Sequence, residues 1–173
     1  VIFGPLVLSG SSGELVAVAP TSSYIGRKVT GGLGAWGPLT SVGDINLDGI
    51  QEIVTGATVV TFDQDLTPSI LWSLPFDVGS DGFTAIANVD EDDKAEVILS
   101  GLGNLFVLDD NGSILYGPVS IPSTFRGGSP TVADFDGTPG VEIGIASEDA
   151  YAVFDITSEG LELLWSQPVQ DQS

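Results

Sequence analysis

Asp44, Asn46 and Asp48 alternate along the chain, Gly49 follows, and Glu52 closes the run eight residues after Asp44. Side-chain oxygens at loop positions one, three, five and nine, with a backbone carbonyl at seven, suit a hard divalent cation. Calcium takes six to eight oxygens at ~2.3–2.6 Å in a tolerant geometry. In this first loop the donors are Asp44, Asn46, Asp48 and Glu52, the carbonyl is that of Ile50, and Gly49 admits the sharp turn at position six. A second copy places Asn88, Asp90, Asp92 and Glu96 at the same positions, with the Lys94 carbonyl at seven and Asp93 in place of the glycine. The Lys94 ammonium is expected to face solvent. A third copy keeps Asp134, Asp136 and Glu142 but carries Thr138 at position five, within Gly137-Thr138-Pro139-Gly140. Two calcium sites are therefore expected, at the first and second loops, with the third loop the weakest of the three. Without an ion each of the first two loops holds several carboxylates close together, a repulsion that raises their pKa or opens the loop. Magnesium demands a stricter octahedron and keeps its water, and soft metals want Cys or His, of which the chain has none.

The loops need strands to hold them, and the surrounding sequence supplies strands in phase. The first polar residue of each loop recurs after 44 and then 46 residues, at Asp44, Asn88 and Asp134. An apolar run follows the first two glutamates, Ile53-Val54 and Val97-Ile98-Leu99, and the third copy closes on Val141-Glu142-Ile143. Phe62-Asp63, Leu108-Asp109 and Phe154-Asp155 each close a further apolar run, and Leu71-Trp72, Leu115-Tyr116 and Leu164-Trp165 mark another. Four short strands per ~45 residues is the blade pattern of a β-propeller. Asp110-Asn111-Gly112 reads as a hairpin turn in which Asn-Gly takes the positive φ angles of a two-residue loop. Asn111-Gly112-Ser113 also matches a glycosylation sequon in form, and the hairpin is the preferred reading. With 23 Gly and 10 Pro, and no run holding a helical period, the expected class is all-β.

The expected organisation is a single propeller segment over 1–173, with a partial leading blade at 1–39 and complete blades at 40–83, 84–129 and 130–173. The leading blade lacks its first strand, because Val1-Ile2-Phe3-Gly4 matches the strand that follows an acidic loop. Propellers close with ~4 to 8 blades, so the segment is expected to belong to a larger propeller. Its remaining blades would come from a longer chain or another subunit; the alternative is a four-bladed closure with the missing strand borrowed from elsewhere. Trp72, Tyr116 and Trp165 repeat at one blade position and are expected to be packing residues. Trp36, in the irregular stretch Gly34-Ala35-Trp36-Gly37-Pro38, reads as a core or inter-blade filler, with an exposed contact as the alternative.

Composition removes whole classes of function. Asp and Glu total 24 against 4 Lys and Arg, a net charge of -20 that would repel a phosphate backbone, so no nucleic-acid partner is expected. No run approaches the ~18 apolar residues of a membrane span. Lacking Cys and His, the chain has no disulfide framework, thiol nucleophile or imidazole base. Acid-base chemistry would fall to carboxylates, tyrosine or the four bases Arg27, Lys28, Lys94 and Arg126, and no enzyme activity is expected.

At these loops the chain resembles the FG-GAP and VCBS repeat family, whose motif Asp-x-Asp-x-Asp-Gly-x-x-Asp is met by Asp44, Asn46, Asp48, Gly49 and Glu52, followed by Ile53-Val54-Thr55-Gly56. The likeness covers nearly the whole chain, with Glu in place of the closing Asp. It implies integrin-like calcium-binding propellers, secreted or at a cell surface or in a periplasm, where calcium stiffens the blades. Adhesion to a protein or glycan would use other loops. The alternatives are a carbohydrate-binding lectin and a non-catalytic module of a polysaccharide-degrading enzyme.

Overall fold

The computed structural model describes residues 2–3, 6–18, 40–75, 82–90, 92–123 and 127–169. Trp36, Arg27, Lys28 and Arg126 lie outside the described residues. The protein is all-β: among the described residues there is no helix, and so none long and apolar enough to cross a membrane.

Among the described residues fifteen strands form four antiparallel sheets, each a meander in chain order. The first sheet has three strands, β1 (Ile2–Phe3), β2 (Leu6–Leu8) and β3 (Leu15–Val18). The second contains β4 (Ser41–Gly43), β5 (Glu52–Thr55), β6 (Thr58–Phe62) and β7 (Pro68–Ser73), and the third β8 (Phe83–Ala87), β9 (Glu96–Gly101), β10 (Asn104–Leu108) and β11 (Ile114–Ser120). The fourth comprises β12 (Pro130–Ala133), β13 (Glu142–Ala146), β14 (Ala150–Thr157) and β15 (Gly160–Pro168).

Side-chain alternation explains why the sheets stack. On β5, Ile53 faces the first sheet and packs with Val60 and Val7, while Val54 faces the third and packs with Val97 and Leu99. On β9, Ile98 points the opposite way, into a cluster with Ile143, Ile145, Ala152 and Phe154 of the fourth sheet. A strand buried on both faces reads as a continuous apolar run, which is why Val97-Ile98-Leu99 shows no polar alternation. First strands are neighbours, with β8 beside β4 on one side and β12 on the other. Ser41 Oγ on β4 donates to the Thr84 carbonyl on β8 at 2.9 Å.

Three local expectations change. The turn at Asp110-Asn111-Gly112 is a three-residue loop, not a two-residue one. The Asp109 N–H donates to the Ser113 carbonyl, the Gly112 N–H donates back to Asp109, and only Gly112 has positive φ, at 85°. This is the type I turn with a glycine bulge. The Asp63 to Thr67 loop has the same hydrogen bonds, with Leu66 in the left-handed position at φ 61°. Phe154-Asp155 does not close its strand, because β14 pairs with β15 as far as Thr157 and Gly160. Finally, Phe83 belongs to β8, ahead of the expected boundary at 84.

Phe154 is fully buried between the third and fourth sheets. Phe154→Ala should destabilise the fold by about 3–5 kcal/mol, the usual cost of emptying a buried aromatic site. Urea denaturation would measure it, and a loss below 1 kcal/mol would mean that the two sheets do not share a rigid core.

Candidate metal-binding loops

All three acidic loops join the first two strands of a sheet: β4 to β5, β8 to β9 and β12 to β13. In each, the closing glutamate is the first residue of the second strand and is buried, and one carboxylate oxygen reaches back to the loop. Glu52 Oε2 accepts the Ile45 N–H at 3.1 Å, Glu96 Oε2 the Val89 N–H at 2.7 Å, and Glu142 Oε2 the Phe135 N–H at 2.6 Å. Sequence reasoning assigned these glutamates to an ion alone and missed the second loop residue. The signal was present, for Ile45, Val89 and Phe135 are apolar in every copy; Ile45 and Val89 pack onto the core, and Phe135 packs against Tyr151.

The loops are shaped by carboxylates that accept backbone N–H groups two to five residues on. Asp44 accepts from Asp48 and Gly49 through its two oxygens, and Asp48 accepts from Ile50. Asp90 accepts from Asp92, and Asp92 from Lys94. Asp134 accepts from Gly137, and Asp136 from Thr138. Thr138 also donates its hydroxyl to Asp136, and the two bonds together lower that carboxyl's pKa. Asn88 donates its amide to the Asp92 carbonyl at 2.6 Å.

The copies differ in what they gather. Carboxylate oxygens of Asp90, Asp92 and Glu96 lie within 4.8 Å of one another, and so do those of Asp134, Asp136 and Glu142. Among the described residues these are the two acidic groups able to hold a metal ion. Asp44, Asp48 and Glu52 do not form such a group, although their loop matches the sequence pattern best. Position three there is an amide, and Asn46 Nδ2 donates to Asp48 Oδ2 at 3.1 Å. Glu52 is satisfied from inside the protein, its Oε1 accepting the Thr61 hydroxyl at 2.9 Å. The third loop, expected to be the weakest, brings its carboxylates together. The second supplies a further sign: Glu96 is fully buried and its Oε1 has no hydrogen-bond partner. A buried acceptor without a donor costs about 1–3 kcal/mol, and a cation among Asp90, Asp92 and Glu96 would remove that cost. The residues present therefore fit a metal ion.

Lys94 departs from its expected role. Its ammonium does not project freely into solvent but pairs with Asp110 Oδ2 at 2.9 Å, a contact that raises its pKa. Compared with known proteins, the chain matches no family model, no curated protein and no solved structure.

Burial raises the Glu96 carboxyl above its ordinary value of 4.5, and Asp90 and Asp92 add to the effect. Burial likewise raises Glu52, with smaller contributions from Asp48 and Asp44. A carboxyl with a raised folded-state pKa binds its proton more tightly in the folded protein. Its contribution is full below 4.5 and is lost as pH rises through the raised value. In chelator, Glu96→Gln should therefore be more stable than the parent at pH 7, and the difference should close as the pH falls below 4.5. Urea midpoints across pH 4–7 would show this, and parallel profiles would mean that the Glu96 charge is not under stress.

Proposed function

We propose that this chain is part of a calcium-stabilised β-propeller of the FG-GAP and VCBS repeat type. Its role is that of a non-enzymatic scaffold outside the cytosol that presents a protein or glycan contact surface. The observation that carries the reading is Glu96, a buried carboxylate with one unpartnered oxygen, set beside Asp90 and Asp92 in a loop that recurs in phase with the sheets. Three four-stranded meanders that stack in chain order, with β4, β8 and β12 adjacent, support the propeller arrangement.

In this reading Asp90, Asp92 and Glu96 hold one ion and Asp134, Asp136 and Glu142 a second. The first loop would depend on Asp44, Asn46, Asp48 and the Ile50 carbonyl around an internally bonded Glu52. An all-oxygen, carboxylate-rich donor set favours calcium, and extracellular modules use it at ~10⁻⁴–10⁻³ M affinity. The role of the ion is to neutralise the loop charge and pin the second strand of a sheet to the first. Catalysis is not part of the proposal, because the chain lacks His and Cys and its buried glutamates are committed to the loops.

Thermal unfolding followed by circular dichroism should show a calcium-specific rise in midpoint over chelator. A ligand at a hundredfold excess over Kd adds ~2.7 kcal/mol. Magnesium should give much less. Asp90→Ala with Asp92→Ala, or Glu96→Gln alone, should remove most of the second loop's share. Identical melting in calcium, magnesium and chelator would sink the proposal.

A further inference from the structure

Lys94 is a member of the second acidic loop, yet its ammonium is held by a different element. It pairs at 2.9 Å with Asp110, at the tip of the β10–β11 hairpin in the same sheet. The Asp110 carbonyl in turn accepts the indole N–H of Trp72 at 2.7 Å, and Trp72 belongs to β7 of the preceding sheet. The indole lies flat enough on Gly112 that a β-carbon there would come within 2.8 Å of its Cδ2 atom. A second connection runs from the same loop: the Ala95 N–H donates to the Ile45 carbonyl of the first loop at 3.1 Å, and Ile45 shares a core cluster with Trp72. Two independent routes thus lead from the second loop to one tryptophan on the neighbouring sheet.

We propose that Lys94 and Asp110 are positioning residues that clamp the second acidic loop to the hairpin, and that Trp72 reports the charge state of that loop. The inference rests on the metal-binding reading above. Carboxylates of both elements attract the Lys94 ammonium: Asp110, which it contacts, and Asp109 of the hairpin, and Asp92 of the loop. Neutralising the loop with a divalent cation removes the pull of Asp92 and leaves the hairpin as the partner of the ammonium. The hairpin tip then tightens against the indole, and the loop backbone at Lys94, whose carbonyl occupies position seven, is held in place. The sheet interface and the loop thereby share one electrostatic device.

The test uses the full chain with Trp36 and Trp165 replaced by Phe, so that emission comes from Trp72 alone, and calcium chloride as the probe. Calorimetry measures binding, and fluorescence measures the indole. The proposal expects the emission to change with the same midpoint as the heat. Asp110→Asn and Lys94→Met should each reduce the amplitude several-fold and weaken calcium by roughly 3- to 10-fold, with the far-ultraviolet spectrum unchanged, and Lys94→Arg should restore both. Heat without any response at Trp72, or an unaltered response in Asp110→Asn, overturns the clamp while leaving the metal reading intact. Absence of heat in the parent overturns the metal reading and this proposal with it.

Discussion

A buried glutamate at the start of the second strand is the constraint on which the rest of each repeat depends. Glu52, Glu96 and Glu142 each sit in the interior and each accept the N–H of the second loop residue. Burying a carboxylate is costly unless it is hydrogen-bonded or paired, so the loop must fold back over the strand to provide the donor. That fold-back brings Ile45 and Val89 onto the core and Phe135 against Tyr151, and in the second and third loops it leaves the intervening Asp side chains close to one another. The acidic cluster is therefore a consequence of where the glutamate is buried as well as of the sequence spacing.

How the second carboxylate oxygen is satisfied separates the copies. In the first loop the Thr61 hydroxyl does so, and Asn46 supplies an amide where the second copy has Asp90. The second loop has no such donor, and its charge is concentrated on Asp90, Asp92 and Glu96. The first and second loops, built on one motif, thus differ in electrostatics through a single partner, Thr61 of β6, that only the first possesses. The same holds between sheets. Trp72 bonds to the next hairpin and covers Gly112, whereas Trp165, its counterpart, stacks on Tyr151 of its own sheet at 5.9 Å between ring centroids. The fourth sheet has Gly144 where the second and third have Val54 and Ile98. Phe135 and Tyr151 fill the space a β-carbon would need there.

Much was legible because two periodicities coincide. Apolar runs after each glutamate mark strands buried on both faces, and their recurrence with an acidic loop and an aromatic residue marks repeating units of four strands. The all-β class, the antiparallel meanders and the loops as candidate cation sites follow from residue type and spacing alone. Less legible was the exact turn at Asn111-Gly112, since the hydrogen bond from Asp109 to Ser113 selects a three-residue loop that an Asn-Gly pair does not specify.

The sequence by itself determined which residues can supply oxygen ligands and how far apart along the chain they stand, because loop chemistry is local. Only the tertiary structure decided which of them converge. Thr61 lies nine residues from Glu52 and Asp110 sixteen from Lys94, and both are brought into contact by strand pairing. The packing of one sheet on the next then sets which carboxylates are shielded from water. For that reason the best sequence match, at Asp44, is not the place where three carboxylates meet, and the unpartnered oxygen is found instead at Glu96.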